Sequence, residues 1–250
     1  AFITMGEKTI VSLAPAYLGI FDYDKPGQVV DALLRLGFSE VRETAEGAAY
    51  VTEAYARLLE EGQMKNIIST CCPSVNELVE KYYPELAEYM APVVSPMIAH
   101  GKLIKSMYGP DVKVVFVGPC IAKKQEAEGD DRTTGFVDAV LNFEEIESWL
   151  QERDISIREC EEKQPANPDP KVNRLYPVTS GVISSVLAKK KVDSYKKIFV
   201  DGIEDCREVF EDMKKGLIEG CFIEANMCEG GCVKGPAVNK LHISKYKATM

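Results

Sequence analysis

The sequence predicts an α/β protein of two lobes, each a small, mostly parallel or mixed sheet flanked by helices. Three observations predict it. Short apolar runs alternate with amphipathic helical stretches along the chain, the order produced by strands joined through helical crossovers. Residues 112–117 form a near-continuous apolar run, as a strand covered on both faces requires. Three cysteine-bearing motifs each stand just beyond the carboxyl end of a predicted strand, where α/β sheets place their ligands.

Residues 9–14 read as the first strand. Pro26 opens a helix carrying Val29, Val30, Leu33 and Leu34, and Gly37 closes it. Residues 38–41 are a second strand. Val51, Ala54, Leu58 and Leu59 place a helix over 48–61. Residues 66–69 are a third strand, and helical segments follow over 74–108, broken near Pro84 and Pro96. After the strand at 112–117, Asn142 and Glu145 form a capping box for a helix with Phe143, Ile146, Trp149 and Leu150 on its buried side. Residues 159–171, charged and holding Pro165, Pro168 and Pro170, read as a surface loop. A helix at 180–190, a strand at 197–200, a helix at 205–215 and a strand at 221–224 complete the order. Lobe one is expected over about 1–117 and lobe two over about 118–240, with a weakly patterned, mobile tail at 241–250.

Composition narrows the functional classes. The chain has 250 residues, 46% hydrophobic and 28% charged, as a globular protein has. A net charge of −9 argues against a nucleic-acid partner, which needs a basic surface. No apolar run approaches the roughly 18 residues of a membrane span. The chain starts at Ala1 without a basic, apolar leader, the start expected of an excised fragment. Eight cysteines are too few for a disulfide scaffold and point to reduced thiols in the cytoplasm. Cys160, Cys206 and Cys221 show no ligand spacing and read as free thiols.

The other five cysteines lie in the motifs. These are Ser69-Thr70-Cys71-Cys72-Pro73, Gly118-Pro119-Cys120-Ile121-Ala122-Lys123-Lys124-Gln125-Glu126 and Met227-Cys228-Glu229-Gly230-Gly231-Cys232. Cys72, Cys120, Cys228 and Cys232 supply four thiolates, the usual complement of a 4Fe-4S cluster. Zinc also takes four cysteines, but its structural sites favour paired Cys-x-x-Cys knuckles, absent here. Spacing favours iron–sulfur and leaves zinc open. The metal site is expected between the two lobes.

The three motifs resemble the signatures of the catalytic domain of iron-only (FeFe) hydrogenases. The third extends as Glu224-x-x-x-Cys228-x-x-x-Cys232-x-x-Gly235. Ala14-Pro15-Ala16, Ser95-Pro96, Asp138-Ala139-Val140-Leu141 and Thr179-Ser180-Gly181-Val182 resemble further family segments in the family's order. The resemblance implies one catalytic domain over 1–250 and reversible hydrogen activation at an H-cluster. That group is a 4Fe-4S cube joined to a two-iron unit bearing carbon monoxide, cyanide and an azadithiolate, the two-iron unit depending on maturation. It implies that Cys72, Cys120, Cys228 and Cys232 hold the cube and that Cys232 bridges to the two-iron unit. Cys71 takes the place of a proton-relay thiol and Lys123 that of a donor to cyanide. Glu126 continues the proton path or caps a helix. Pro15, Ala16 and Ser95 are expected at the two-iron pocket. Implied partners are hydrogen, protons and a ferredoxin-like electron carrier, in an anaerobic setting.

Several positions depart from the family pattern. Gly118 and Asn226 replace methionines two residues before Cys120 and Cys228, and Met97 replaces a glutamine. Val75 replaces an aromatic residue, and Gly235-Pro236-Ala237 a triple glycine. Glu53 and Arg57 match the outer acidic proton path, whereas Tyr50 and Ala91 take the places of its inner glutamate and serine. Such changes resemble the sensory branch of the family, with an enlarged or polarised pocket, slow turnover and signalling domains outside this chain. The alternatives are a non-catalytic 4Fe-4S protein of the assembly-factor kind and a purely regulatory hydrogen-binding module.

Overall fold

The computed structural model describes residues 3–129, 133–191 and 193–238, so the tail at 241–250 lies outside the described residues. Among the described residues seven strands form two sheets, and every pairing in them is parallel. The first sheet has the order β2-β1-β4-β5, with β1 at Thr9–Leu13, β2 at Glu40–Glu43, β4 at Lys113–Gly118 and β5 at Ala139–Asn142. Its register sets Val11 beside Val41 on one side and Val115 on the other. The second sheet has the order β3-β7-β6, with β3 at Ile67–Ile68, β6 at Lys196–Asp201 and β7 at Cys221–Asn226. β3, which precedes residue 117, pairs in the second sheet, and β5, which follows it, pairs in the first.

The helices follow from the same sequence signals. α1 runs over Gly27–Arg35, α2 over Ala45–Glu61 and α3 over Pro73–Tyr82. Pro84 starts a 3₁₀ turn rather than a new helix, and Pro96 sits at the first turn of α4, Pro96–Tyr108. α5 is short, Ala122–Glu128, and α6, Phe143–Glu152, begins with the expected Asn142–Glu145 capping box. α7 spans Gly181–Lys189 and α8 Ile203–Lys214. None of the helices among the described residues is long and apolar enough to cross a membrane.

β1 and β4 are buried along their lengths and form the spine of the largest apolar cluster, with Val29, Leu33, Ile98, Ile104 and Phe143 packed on them. Burying each such side chain stabilises the fold by roughly 1.5–3 kcal/mol. α2 packs on both α4 and α7, and so joins the two sheets' helical layers. Its contact with α4 depends on Gly47. A methyl at that position would lie 2.5 Å from His100 Cβ and 2.6 Å from the Pro96 carbonyl oxygen. The loop after residue 159 is less peripheral than its composition suggests. It runs along α1 and β2, where Lys163 N–H donates to the Gly27 carbonyl and Ala166 N–H to that of Val41. Arg174 forks onto Glu43, a fully buried carboxylate, through hydrogen bonds of 2.9 and 2.7 Å.

Candidate metal centre

Each cysteine motif leaves the carboxyl end of a strand, and backbone bonding fixes where it points. Beyond β3, Ser69 N–H donates to the Ile223 carbonyl, tying the first motif to β7. Cys72 is the cap residue of α3 and Pro73 its first helical residue, so the helix start fixes the thiol. Burial pushes the Cys72 thiol up, while backbone N–H groups of Met227 and Val75 favour its thiolate. Beyond β4 the chain turns through Pro119 to Cys120 and enters α5, which presents Lys123.

Beyond β7 the third motif folds against Pro177 and Pro119. Gly231 has φ of +81°, and a Cβ there would lie 2.5 Å from the Pro177 carbonyl oxygen. Only glycine combines that backbone with that approach. Glu224, buried on β7, accepts from Ile183 N–H at the start of α7 (2.9 Å) and anchors the strand from which the motif departs.

The result is one cavity of about 510 Å³ lined by Cys72, Cys120, Cys228 and Cys232, together with Cys71 and Lys123. A second cavity, of about 80 Å³, is lined by Pro15, Ala16, Thr44, Met97 and Phe116 among others. Cys71, Cys120, Lys123, Asn226 and Cys232 line both. Cys72 and Cys228 line only the larger one, whereas the thiols of Cys120 and Cys232 border both.

The donor set suits a cluster better than one ion. Among the described residues, no three histidine, cysteine or carboxylate side chains converge on a single-ion site. Zinc would need its four sulfurs about 2.3 Å from one point. Burial and the neighbouring thiols push Cys228 up to about 11 and Cys232 well above the ordinary thiol value. Thiols crowded in this way favour a bound cation, which holds them deprotonated. The residues therefore fit a 4Fe-4S cube in the larger cavity and a smaller inorganic group in the adjoining one.

Lys123 is buried and donates to the Cys71 carbonyl (3.1 Å) and to Glu126 Oε2 (2.6 Å). Burial opposes its charge, but Glu126 and the thiolates outweigh it and raise the ammonium above its ordinary value. An ammonium has three donors, so one remains for a ligand in the cavities it lines. Glu126 is the ion-pair partner of Lys123 within α5 rather than a helix cap, and it borders outer clefts beside α3 instead of the small cavity.

Pro15 and Ala16 line the small cavity, while Ser95, Gly118 and Tyr50 are placed as follows. Ser95 is absent from that lining; its Oγ caps α4 by accepting from Ile98 N–H, and the neighbouring Pro96 and Met97 line the cavity instead. Gly118 does not enlarge the pocket. A Cβ built there would lie 2.6 Å from the Phe116 ring, which occupies that space and itself lines the cavity. Tyr50 is 59% exposed on α2. The α2 side chain that reaches Cys71 is Tyr55, fully buried, with its hydroxyl 3.6 Å from Cys71 Sγ.

Sequence reasoning missed Tyr55, although a signal existed: Ala48, Val51, Tyr55 and Leu59 form the buried stripe of α2, and residue 50 lies off it. Tyr55 Oη also accepts from Thr70 N–H at 2.8 Å. Burial pushes the Cys71 thiol up to about 12 despite Tyr55 and Lys123, which both favour the thiolate. Glu53 and Arg57 form an exposed ion pair that also engages Lys189. Ala91 is buried and offers its carbonyl to Thr70 Oγ1. Cys160, Cys206 and Cys221 are buried outside both cavities.

Known proteins resemble this chain in sequence and fold. The family model for the iron-only hydrogenase large subunit, C-terminal domain, matches residues 7–236. Iron hydrogenase 1 of Clostridium pasteurianum is 26% identical over 99% of this chain and 53% of its own length. The periplasmic [Fe] hydrogenase large subunit of Nitratidesulfovibrio vulgaris is 28% identical over 84% of this chain and 61% of its own length. The chain thus spans little more than half of these relatives. A solved [FeFe]-hydrogenase, studied for oxygen inactivation at its H cluster, shares the fold with a TM-score of 0.78 at 20% identity, over 97% of this chain and 83% of that one. A variant of HydA1 from Chlamydomonas reinhardtii does so with a TM-score of 0.74 at 19% identity, over the same 97% and 83%. Together, the motifs, the paired cavities and the match over residues 7–236 establish that this chain belongs to the iron-only hydrogenase large subunit, C-terminal domain, family.

Proposed function

We propose that the chain activates hydrogen reversibly, interconverting it with two protons and two electrons. The observation that carries this reading is the pair of adjoining cavities that share Cys71, Cys120, Lys123, Asn226 and Cys232. An electron-storing cube and a hydrogen-binding two-iron unit with carbon monoxide, cyanide and azadithiolate ligands would supply the redox chemistry. Cys72, Cys120, Cys228 and Cys232 would hold the cube, and Cys232 would join it to the two-iron unit. The remaining donor of Lys123 would anchor an anionic ligand in the small cavity, a charge-assisted bond strengthened by burial. Pro15, Ala16, Met97 and Phe116 keep that cavity apolar and exclude water. Cys71 would pass protons, since a thiol both donates and accepts.

Turnover is proposed to be slow. A thiol pushed up to about 12 gives up its proton reluctantly, and its neighbour on α2 is a phenol rather than a carboxylate. Slow exchange suits a hydrogen sensor, which reports occupancy rather than flux. Further proposals are a ferredoxin-like electron donor, signalling domains outside this chain, and a reducing, anaerobic cytoplasm suited to open thiols. The test is anaerobic reconstitution with iron and sulfide, then loading with a synthetic two-iron unit and infrared spectroscopy under hydrogen. Carbonyl and cyanide bands that respond to hydrogen are expected. Their absence from protein that holds the cube would refute the hydrogenase reading and leave an iron–sulfur protein. A hydrogen evolution rate matching that of a hydrogen-producing family member would refute slow turnover.

A further inference from the structure

A second polar route meets the small cavity, and it does not involve Cys71. Thr44, which lines that cavity, lies with its Oγ1 2.8 Å from Ser12 Oγ on β1. Ser12 Oγ is 2.7 Å from His100 Nδ1 on α4, and His100 Nε2 is 3.1 Å from Glu46 Oε2 on α2. Arg42 forks onto Glu46 through bonds of 2.9 and 2.8 Å and continues to Glu40 and the Tyr108 hydroxyl. Ser12 and His100 are completely buried, whereas the Glu46 side chain is 15% exposed. The chain of contacts therefore runs from the cavity to the edge of solvent. It is also closely built, because Gly47 leaves out the methyl that would otherwise push His100 away.

We propose that Thr44, Ser12 and His100 form a proton wire that takes protons from the small cavity to Glu46, in parallel with Cys71. This rests on the hydrogenase reading of that cavity.

The direction of the wire follows from counting protons. Burial opposes the Glu46 charge, yet the hydrogen bonds from His100 and Arg42 hold its carboxyl down at about 2. Glu46 is then acceptor-only, so the neutral imidazole carries its proton on Nε2 and gives it to Glu46 in a hydrogen bond. Nδ1 must accept, so Ser12 O–H donates to it, and Thr44 O–H donates to Ser12 Oγ. Thr44 is left with an unused lone pair, the polarity needed to receive a proton. When a donor in the cavity protonates Thr44 Oγ1, Thr44 passes its own proton to Ser12 and Ser12 passes its proton to His100 Nδ1. Three hops move one proton and leave both hydroxyls neutral. The imidazolium so formed pairs with Glu46, to which Nε2 can release its proton at the solvent edge. Both hydroxyls are now reversed, and Thr44 presents a hydrogen to the cavity in place of a lone pair.

The charged groups around the imidazole fit a transient store. Glu46 on α2 and Glu43 on β2 favour the imidazolium, while burial and Arg42 oppose it, and the balance lies below the ordinary histidine value. Arg174 further compensates Glu43. His100 is thus neutral at rest near pH 7.

The test has two arms. The chain has two histidines, His100 and His242, so ¹⁵N-histidine labelling gives two sets of ring signals, and His100→Gln assigns those of His100 without the two-iron unit. The neutral Nε2–H tautomer is expected at pH 7, unchanged in the near-isosteric Thr44→Val variant, which also shows that the variant folds. An Nδ1–H tautomer would overturn the proposal. In the loaded protein, the carbonyl and cyanide bands should shift with pH at the midpoint of the His100 NMR titration, because Thr44 changes from acceptor to donor. Thr44→Val and His100→Gln should abolish that midpoint. In a Cys71→Ala background, Thr44→Val should lower residual hydrogen uptake about tenfold or more, toward the span of general acid–base effects. A midpoint or residual uptake unchanged in Thr44→Val would overturn the wire while leaving the hydrogenase reading intact. Absence of the bands altogether would remove that reading and the wire with it.

Discussion

Replacing Tyr55 by phenylalanine deletes one oxygen atom at the centre of the first motif. That oxygen accepts from Thr70 N–H at 2.8 Å and lies 3.3 Å from Thr70 Oγ1 and 3.6 Å from Cys71 Sγ. The ring still fits, so packing against Phe222 survives. What remains is a buried Thr70 N–H without a partner, which costs about 1–3 kcal/mol. At about 2–4 °C per kcal/mol for a chain of this size, the melting temperature should fall by roughly 2–12 °C. The same change removes a hydrogen bond that favours the Cys71 thiolate, so the thiol should rise further above its already raised value. Calorimetry under anaerobic conditions reads the first effect. Mass-resolved alkylation of Cys71, which is partly exposed, reads the second as a slower reaction. Unchanged melting, or faster alkylation at Cys71, would refute the placement of Tyr55 as the polar neighbour of this thiol.

Three further expectations concern the site's scaffold. Burial pushes the Glu224 carboxyl up to about 7 from 4.5. The unfolded chain releases this proton first as pH rises, so stability should fall by about 3 kcal/mol between about pH 4.5 and 7 and then level off. Urea titrations across that range should lose this slope in Glu224→Gln. Gly231→Ala places a methyl 2.5 Å from a carbonyl oxygen at φ of +81°, so iron bound after reconstitution should drop sharply; full iron content would contradict the role given to that glycine. Lys123→Met removes the buried ammonium and should leave the cube's electron paramagnetic signal in place. A charge-assisted bond of about 1.5–3 kcal/mol then corresponds to roughly 10-fold to 150-fold weaker retention of the two-iron unit, read as lost carbonyl and cyanide intensity.

Much of this site was legible because its chemistry lies in short contiguous motifs. Cys71 and Cys72, Cys120 and Lys123, and Cys228 and Cys232 each sit within one short motif, and the strands before them are apolar enough to be read directly. Pro26 and Gly62 mark helix ends by local backbone chemistry, as does the Asn142 capping box. β5 was not legible, since its four residues are all half-buried and show no alternation. β2 was placed two residues early because Phe38, apolar but outside the ladder, extended the run. Tyr55 was not singled out, although it lies on the buried stripe of α2. The filling of Gly118's space by Phe116 and the line from Ser12 through His100 to Glu46 join residues from separate elements. No spacing in the sequence encodes those contacts; only the packing of α2 on α4 and of β1 beside β4 brings them together.

The most direct test is isotope exchange on protein loaded with both iron groups, its carbonyl and cyanide bands having been verified. Under deuterium gas in ordinary water, mass spectrometry should detect HD formation, slow but above that of protein carrying the cube alone, and Cys232→Ala should abolish it. Exchange no faster than in the cube-only protein, with the two-iron unit demonstrably in place, would contradict hydrogen activation at the paired cavities.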